Sequence, residues 1–513
     1  MACDSHKVDT NITSLSFAEE ECLKELPGSG GANAIWYGLE PNSYSDFGGD
    51  LTTVARSPIN PSRQNKKGVI TDLEAKCGFT TDFTQNNMNR LLQGFFFADA
   101  RELATTKPLS GGAVAFTGVT SSDNTYAAAA GLDIFKVGQL VQFSGFANAG
   151  NNGIKKVASS TATTLVVVEA TVDETPAASA YAKTVGFQFG SADIDLAVTN
   201  GIPALISSVA DFTTLGLIPG AWVFIGGDGA ANAFANNVGY ARVKSVTANA
   251  LSFDDTTFAP VNETGTGITL KLFVGTIIKN ESDPSLIKRR SYNFERTLGK
   301  GPTATQAEYI EGAVPNEMTL DIPKAEKLTM TLGFVAADNT YRSGETGDEI
   351  KPGVRVPALG EDAYNTSHNV YRNKLAVIDP ASSNPSALFG YVSDAKISLK
   401  NGITANKAVG ILGAFDLSAG NFEVSGTMNA YFTTIDAIKA VRNNADVGFS
   451  SIMAADNAGF VFDIPLVGLG GSKLNLEKDQ PIMVPLDSNG AENENGYTML
   501  YESFSYLPDI AMG

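Results

Sequence analysis

The sequence is poor in the residues that most enzymes rely on. Among 513 residues there are two histidines, His6 and His368, and three cysteines, Cys3, Cys22 and Cys77. A histidine-based metal centre needs two or more imidazoles within reach, and these two stand in separate polar stretches. An odd, sparse cysteine count argues against a disulfide scaffold and fits synthesis in a reducing compartment. Charged residues make up only 18% of the chain. No apolar run approaches the roughly 18 residues of a membrane span, so no membrane insertion is expected. The opening residues, MACDSHKVDTNITSLSF, lack the charged-then-apolar order of a secretory signal. No CxxC, HExxH, GxSxG or Walker pattern occurs.

The near misses fail for physical reasons. GLGGSK (Gly468–Lys473) lacks the spacing that brings a lysine over a phosphate, and a strand turn accounts for its glycines. Asn493, Asn495, Gly496 and Glu502 match four positions of a calcium loop, but Ala491 stands where the first carboxylate belongs. Asp254-Asp255 and the pair Glu492/Glu494 would serve as glycosidase acids only if shielded from water; a solvated loop is the expected setting. Lys288-Arg289-Arg290 is a short basic run, expected to face solvent. No cofactor, metal or catalytic constellation is therefore predicted. The class expected is a building block or a binder.

What is present is β-forming. Hydrophobic residues reach 43%, and 51 glycines accompany many Asn, Thr and Ser residues. That mixture suits strands joined by turns. The net charge of −18 repels nucleic-acid phosphates and excludes a DNA-gripping role. It is compatible with a wall past which DNA slides.

Alternation locates the strands. In TDLEAKCGFTTDF, Leu73, Ala75, Cys77, Phe79, Thr81 and Phe83 share one face; Asp72, Glu74, Lys76 and Thr80 share the other. Thr84 is placed to cap a helix bearing Met88, Leu91, Leu92 and Phe95. The order recurs some 350 residues later. In NFEVSGTMNAYF, Phe422, Val424, Gly426, Met428, Ala430 and Phe432 alternate with Glu423, Ser425, Thr427 and Asn429. Thr433 or Thr434 then precedes a helix bearing Ile435, Ile438 and Val441. Met318–Ile322 and Leu328–Phe334 read as a hairpin, and strands are expected before Asn401-Gly402, in GFVFDIPLVG and in YTMLYESFSYL. A short helix is expected over Phe17–Leu26, and two long loops over 28–67 and 336–386.

A second repeat fills the middle of the chain. Gly138 and Val141 align with Gly220 and Val223; after a four-residue insertion Val157, Thr161 and Leu165 align with Val243, Thr247 and Leu251. Each copy reads strand, glycine turn, NN loop, strand, Thr-Ala turn, strand. Between residues 108 and 275 there are twelve acidic and seven basic residues, a sparser charge than the chain average. The domain order expected is a first unit (1–107), two inserted β modules (108–185 and 186–275), and the remaining core with a second unit (276–513). Independently folding insertions survive best at exposed loop tips, so the modules are expected on the outside.

SYNFERTLGKGPTATQAEYIEGAVPNEMTLDIPKAEKLTMTLGFVAAD (Ser291–Asp338) resembles the core of the major tail tube proteins of long-tailed bacteriophages. Tyr309, Gly312, Leu320, Thr329 and Phe334 occupy the places of that family's strand pattern. Gly68–Phe96 and Phe422–Val441 resemble its long strand leading to a single helix, and FVFDIPLVGLG resembles its late strand. The resemblance covers about 1–107 and 276–513. It implies a mainly β chain: duplicated tail-tube β-sandwich or barrel units, each with a short flanking α-helix, plus the two inserted modules. It implies a structural, non-enzymatic virion component, assembled in the host cytoplasm. Its partners would be further copies of itself, in rings of three duplicated chains or of six chains, stacked into a tube. The tail terminator and tail tip proteins would meet its ends. Tape-measure protein and DNA would occupy the lumen without specific binding. Asp72, Glu74, Lys76, Thr80, Glu423, Ser425, Thr427 and Asn429 would line that channel. Two other classes remain open at this stage: a surface carbohydrate-binding or adhesin-like β protein, and a polysaccharide-degrading enzyme.

Overall fold

The computed structural model describes residue 10 and residues 13–512, apart from 60, 62, 301–304, 345–349, 472, 475 and 477. It is mainly β, with 48% strand and 6% helix. The chain falls into two units: residues 1–98, 283–366 and 393–428 form one, and 99–282, 367–392 and 429–513 the other.

The first unit opens with β1 (Ser14–Glu19), β2 (Ile35–Leu39), β3 (Pro41–Tyr44), β4 (Gly48–Arg56) and β5 (Lys66–Asp82). The helix α1 (Asn89–Phe96) follows. The expected helix over Phe17–Leu26 is replaced by the end of strand β1 and a turn closed between Cys22 and Glu25, because Leu15 and Phe17 enter the core and both edges of the strand are paired. Pairing with neighbours overrides local propensity here. The expected 28–67 loop is also replaced by strands. Its β4 has no buried face, so it carries no period to read. In β5 the alternation holds: Leu73, Ala75, Cys77, Phe79 and Thr81 are all buried, as is Phe83 just beyond. Met88, Leu91, Leu92 and Phe95 are buried too. Thr84 does not cap α1; its hydroxyl accepts from the Asn87 side chain at 3.1 Å.

Twelve strands follow in the second unit. They are β6 (Phe116–Thr120), β7 (Thr125–Ala128), β8 (Gln139–Ser144), β9 (Gly153–Ser160), β10 (Thr164–Val167) and β11 (Tyr181–Gln188). Then come β12 (Asp195–Thr199), β13 (Ile202–Ile206), β14 (Trp222–Ile225), β15 (Gly239–Val246), β16 (Ala250–Thr256) and β17 (Lys271–Val274). They form one antiparallel sheet in the order β6-β7-β10-β9-β8-β11-β17-β14-β15-β16-β13-β12. Read outward from its centre, the two sides repeat the same connectivity. At the centre Gly186 pairs with Phe273 and Phe187 with Leu272. A shift of 86 residues exchanges these two pairs, so a local twofold axis passes through the β11–β17 ladder. Tyr126, Phe143, Phe146, Val157 and Leu165 fill the core of the first half. The second half has no private core. Trp222, Tyr240, Val243 and Phe253 pack in one cluster with Ile452, Val461, Leu500 and Phe504 of the same unit. The short β18 (Thr276–Lys279) comes next.

The first unit resumes with β19 (Tyr292–Lys300), β20 (Thr305–Ile322), β21 (Thr329–Ala336), β22 (Asp338–Gly344) and β23 (Val354–Val356). After β24 (Val370–Val377) of the other unit come β25 (Val392–Lys400), β26 (Thr404–Asn406) and β27 (Asp416–Ser418). Parts of the expected 336–386 loop, β22, β23 and β24, are thus also strand. β20 serves two sheets. Its first part lies between β19 and β22, its last part between β21 and β25. Gly312, at φ 64°, makes the bend between them. Its N–H donates to Glu20 at 2.8 Å, and a Cβ there would meet Ala337 and Leu23 at 2.9 and 3.0 Å. Three residues on, Pro315 stands where the partner strands change, a place that needs no ladder donor. Phe17 packs on Tyr292 and Phe294 in one sheet, these two meet Phe79 and Phe334 from the other, and Phe95 of α1 closes on Phe334 at 5.2 Å.

β28 (Glu423–Tyr431) leads to α2 (Asp436–Arg442), repeating the strand-then-helix order. The buried face of α2 differs from the expected one: Ala437 and Ala440 are buried, while Ile435 is exposed. Neither Thr433 nor Thr434 occupies its N-cap; Thr434 accepts from the Asp436 N–H at 3.3 Å. The second unit ends with β29 (Val447–Ala455), β30 (Ala458–Gly471), β31 (Met483–Gly490) and β32 (Leu500–Phe504). Here β29 lies between β24 and β30. β30 pairs with β32 through 459–463 and with β31 through 467–471. Pro465 stands at that change. In the first unit, β19 lies between β1 and β20, and β20 pairs with β22 and then with β21, with Pro315 at the change.

Candidate assembly and channel-lining surfaces

The wet side of β5 is part of a wider polar face. Glu74 and Lys76 are exposed, Asp72 and Thr80 half-buried. Thr80 and Thr331 hydroxyls stand 3.0 Å apart on paired strands, and Thr319 and Ser398 stand 3.2 Å apart on the next two. The ladders place Thr80 opposite Thr331, Thr331 opposite Thr319, and Thr319 opposite Ser398. A row of hydroxyls therefore crosses β5, β21, β20 and β25. Thr331, Thr319 and Ser398 continue the polar face of β5; the alternation around Met318–Phe334 carried the signal for the first two, and the strand expected before Asn401-Gly402 that for Ser398.

Charges on this face are paired. Asp321 meets Lys396 and Glu317 meets Lys400, each at 3.1 Å. Lys327 meets Asp82 at 2.8 Å and Lys76 meets Asp46 at 3.3 Å. Lys407, just beyond β26, bonds Asp72 and lies 3.8 Å from Glu74. The lysine's hydrogen bond holds the Asp72 carboxyl below its usual range. These exposed pairs contribute little stability; their effect is to leave a polar surface without a free block of positive charge. In β28, Glu423, Ser425 and Thr427 are exposed and Asn429 is half-buried, with Val424, Met428 and Ala430 buried beneath.

Beyond the buried part of β5, β4 and the first half of β5 form a two-stranded ribbon. Thr53 pairs with Ile70 and Val54 with Val69. Leu51, Val54, Val69 and Ile70 are each a little over half exposed. An isolated two-stranded ribbon is marginal in water, and this one carries aliphatic side chains without a covering layer.

The acidic pair Asp254-Asp255 is not in a solvated loop. It lies at the end of β16 within a charge network. Arg242 bonds Asp254 at 2.8 Å and both oxygens of the fully buried Asp463 at 3.1 and 3.2 Å. Arg372 bonds Asp255 at 3.2 Å, and Lys374 lies 3.6 Å from it. Burial drives the Asp463 carboxyl up to about 6 against the pull of Arg242. A cavity of about 330 Å³ adjoins the network. Nearby, Glu502 accepts the N–H groups of Trp222 at 2.7 Å and Gly275 at 3.0 Å, and burial raises its carboxyl to about 8. Arginine bonds three of the acids directly, Asp254, Asp463 and Asp255, so the arrangement ties strands together and leaves no isolated acid–base pair.

The remaining sequence candidates are structural as well. Arg290 bonds Glu19 and the Ala98 carbonyl, both at 3.0 Å, and Arg289 bonds Asp416 at 3.2 Å, so the basic run does not simply face solvent. Asn493 spends its side-chain oxygen on the N–H groups of Asn495 and Tyr497. Gly468–Gly471 end strand β30. His368 is exposed ahead of β24, while His6 and Cys3 lie outside the described residues. Among the described residues there is no group of three or more His, Cys, Asp or Glu side chains able to hold a metal ion, and no helix is long and apolar enough to cross a membrane.

Comparison with known proteins gives one family. The model described as phage tail tube protein matches residues 10–490. No curated protein matches the chain.

Proposed function

Because the chain belongs to the phage tail tube protein family, and so is a structural subunit of the virion tail that assembles with itself into a tube, we propose that each chain contributes two tube units to a ring. Three chains would then complete a ring with pseudo-sixfold symmetry; six chains is the alternative count. The observation that carries this reading is the repeated connectivity. The ladder β1-β19-β20, with β22 and β21 on successive parts of β20, matches β24-β29-β30, with β32 and β31 on successive parts of β30. A strand-then-helix pair accompanies each, β5 with α1 and β28 with α2.

The polar face of β5, β21, β20 and β25 lines the channel in this reading, with Asp72, Glu74, Lys76 and Thr80 on it. Glu423, Ser425, Thr427 and Asn429 line it from β28. Hydroxyls and self-paired charges offer phosphate no cation to release counterions against. DNA, and the tape-measure protein before it, therefore pass without specific binding. Closing the sheets around a channel removes the open edges that would otherwise aggregate. The apolar far end of the β4–β5 ribbon, with Val54, Val69 and Ile70, reaches into the next ring and is covered there. The modules 108–185 and 186–275 decorate the outside, and terminator and tip proteins bind the two ends of the tube. Assembly takes place in the host cytoplasm.

Electron microscopy of the purified chain tests the reading. Hollow tubes whose rings each hold three chains support it. Rings of six chains overturn the duplicated-unit assignment, and a monomer that never polymerises removes the ring altogether.

A further inference from the structure

We propose that rings close head to tail by strand addition, with β4 of one chain laid antiparallel on the C-terminal part of β30 of the next copy. The inference rests on the reading of a ring-forming subunit and names the two edges that meet.

Within one chain the same junction already exists once. The last part of β20 has β21 on one edge and β25 on the other, the latter through six consecutive pairs from Glu317↔Lys400 to Ile322↔Ala395. β25 is the last long strand before the β28–α2 unit. The strand that holds this place before the β5–α1 unit is β4. The counterpart of β20 is β30, whose residues 467–471 have β31 on one edge. On the other edge β29 reaches as far as Val467, and among the described residues no strand occupies that edge at 468–471. β4 mirrors that vacancy, since among the described residues it pairs with β5 alone. One chain thus carries one open acceptor edge and one open donor strand, and its own β20–β25 ladder shows how they fit.

The chemistry of both edges suits such an approach. Gly468, Gly470 and Gly471 leave the acceptor edge without bulky side chains, with only Val467 and Leu469 between them. β4 is exposed from Asp50 to Arg56. Unpaired strand edges are strong templates for pairing with another chain. A contact using two different edges is heterologous, so repeating it gives either a closed ring or an open filament.

The test uses the full chain with Cys3→Ser and Cys22→Ser. Leu469→Cys is combined in turn with Asp50→Cys, Leu51→Cys, Thr52→Cys or Thr53→Cys. Four neighbouring positions cover both faces and the register, because a disulfide forms only where Cα atoms lie within about 7 Å. After assembly and mild oxidation, at least one pair should give covalent chain-to-chain species whose ladder stops at the ring number. Amides of 468–471 should also exchange more slowly in tubes than in unassembled chains. Tubes that form normally while no pair cross-links and 468–471 exchange unchanged would overturn the strand assignment and leave the tube reading intact. Failure of the unmodified chain to form rings at all would overturn both.

Discussion

Glu174 holds the Asn151 side chain at 2.7 Å and, with its two oxygens, the N–H groups of Ala147 and Asn148 at 2.6 and 3.1 Å. Glu263 does the same in the other half of the twelve-stranded sheet. It holds Asn237 at 2.7 Å and the N–H groups of Ala235 and Asn236 at 2.5 and 3.1 Å. Each asparagine also bonds a valine backbone, Val172 or Val261, through both its oxygen and its nitrogen. The second asparagine of the first NN pair, Asn152, instead bonds Phe146.

This clasp predicts the effect of a charge-neutral change. Glu174→Gln turns one accepting oxygen into a donor facing other donors. Loss of such hydrogen bonds costs about 1–3 kcal/mol. Glu263→Gln should cost a similar amount, and the losses should add because the two clasps share no residue. Chemical denaturation of the single and double variants measures this. A double variant no less stable than the wild type would mean that the clasps contribute nothing.

The repeats were legible because each is written in alternation. Leu73 to Phe83 and Val424 to Ala430 expose one side and bury the other, and the chain states both patterns openly. What stayed hidden depends on partners distant in sequence. β1 resembles a helix until β19 and β2 flank it. β4 has no buried side at all. Asp254 and Asp255 look solvated because Arg242 and Arg372 reach them across 12 and 117 residues of chain, and Asp463 joins through Arg242 across 221. The polar face was half legible: Asp72, Glu74, Lys76 and Thr80 stand out on one strand, but their continuation through Thr331, Thr319 and Ser398 needs the ladder register. Glu174 and Glu263 escaped because their partners lie in loops, where no period marks them.

Burial gives the second unit an unusual dependence on pH. Asp463 and Glu502 have folded values near 6 and 8, raised from 3.8 and 4.5. A carboxyl raised on folding binds its proton more tightly in the native state. Its contribution is therefore full below the unfolded value and is lost as pH rises through the folded one. The window runs from about pH 4 to about pH 8. Glu502→Gln removes the upper part of this term. The stability difference between wild type and variant should shift in the variant's favour between pH 5 and 8, by up to about 1.4 kcal/mol per pH unit. Equilibrium unfolding at four pH values reads it directly. A constant difference would show that Glu502 is ionised throughout.

Lining residues can be tested by making the wall sticky. Ser425→Lys and Thr427→Lys place two cations on exposed positions, where such changes usually alter stability by less than about 0.5 kcal/mol. Tubes should form as before. DNA release from reconstituted particles should slow, and added salt should restore it, since each phosphate contact releases condensed counterions. Release at the wild-type rate in low salt would place these side chains away from the path of the DNA.

The ribbon of β4 and β5 separates assembly from folding. Val54 and Val69 face each other across it, and Ile70 stands next to Val69. If a neighbouring ring covers them, each buried aliphatic side chain contributes roughly 1.5–3 kcal/mol to stacking. Val54→Asp or Ile70→Asp would forfeit that contribution and bury a charge as well. Neither change touches the monomer's core, so thermal unfolding of the unassembled chain should be nearly unaltered. The concentration needed to form tubes should rise at least tenfold, because about 1.4 kcal/mol already corresponds to one decade. Sedimentation across a dilution series measures that threshold. Unchanged tube growth in both variants would mean that this end of the ribbon stays in solvent, and ring stacking would then have to rest on another surface.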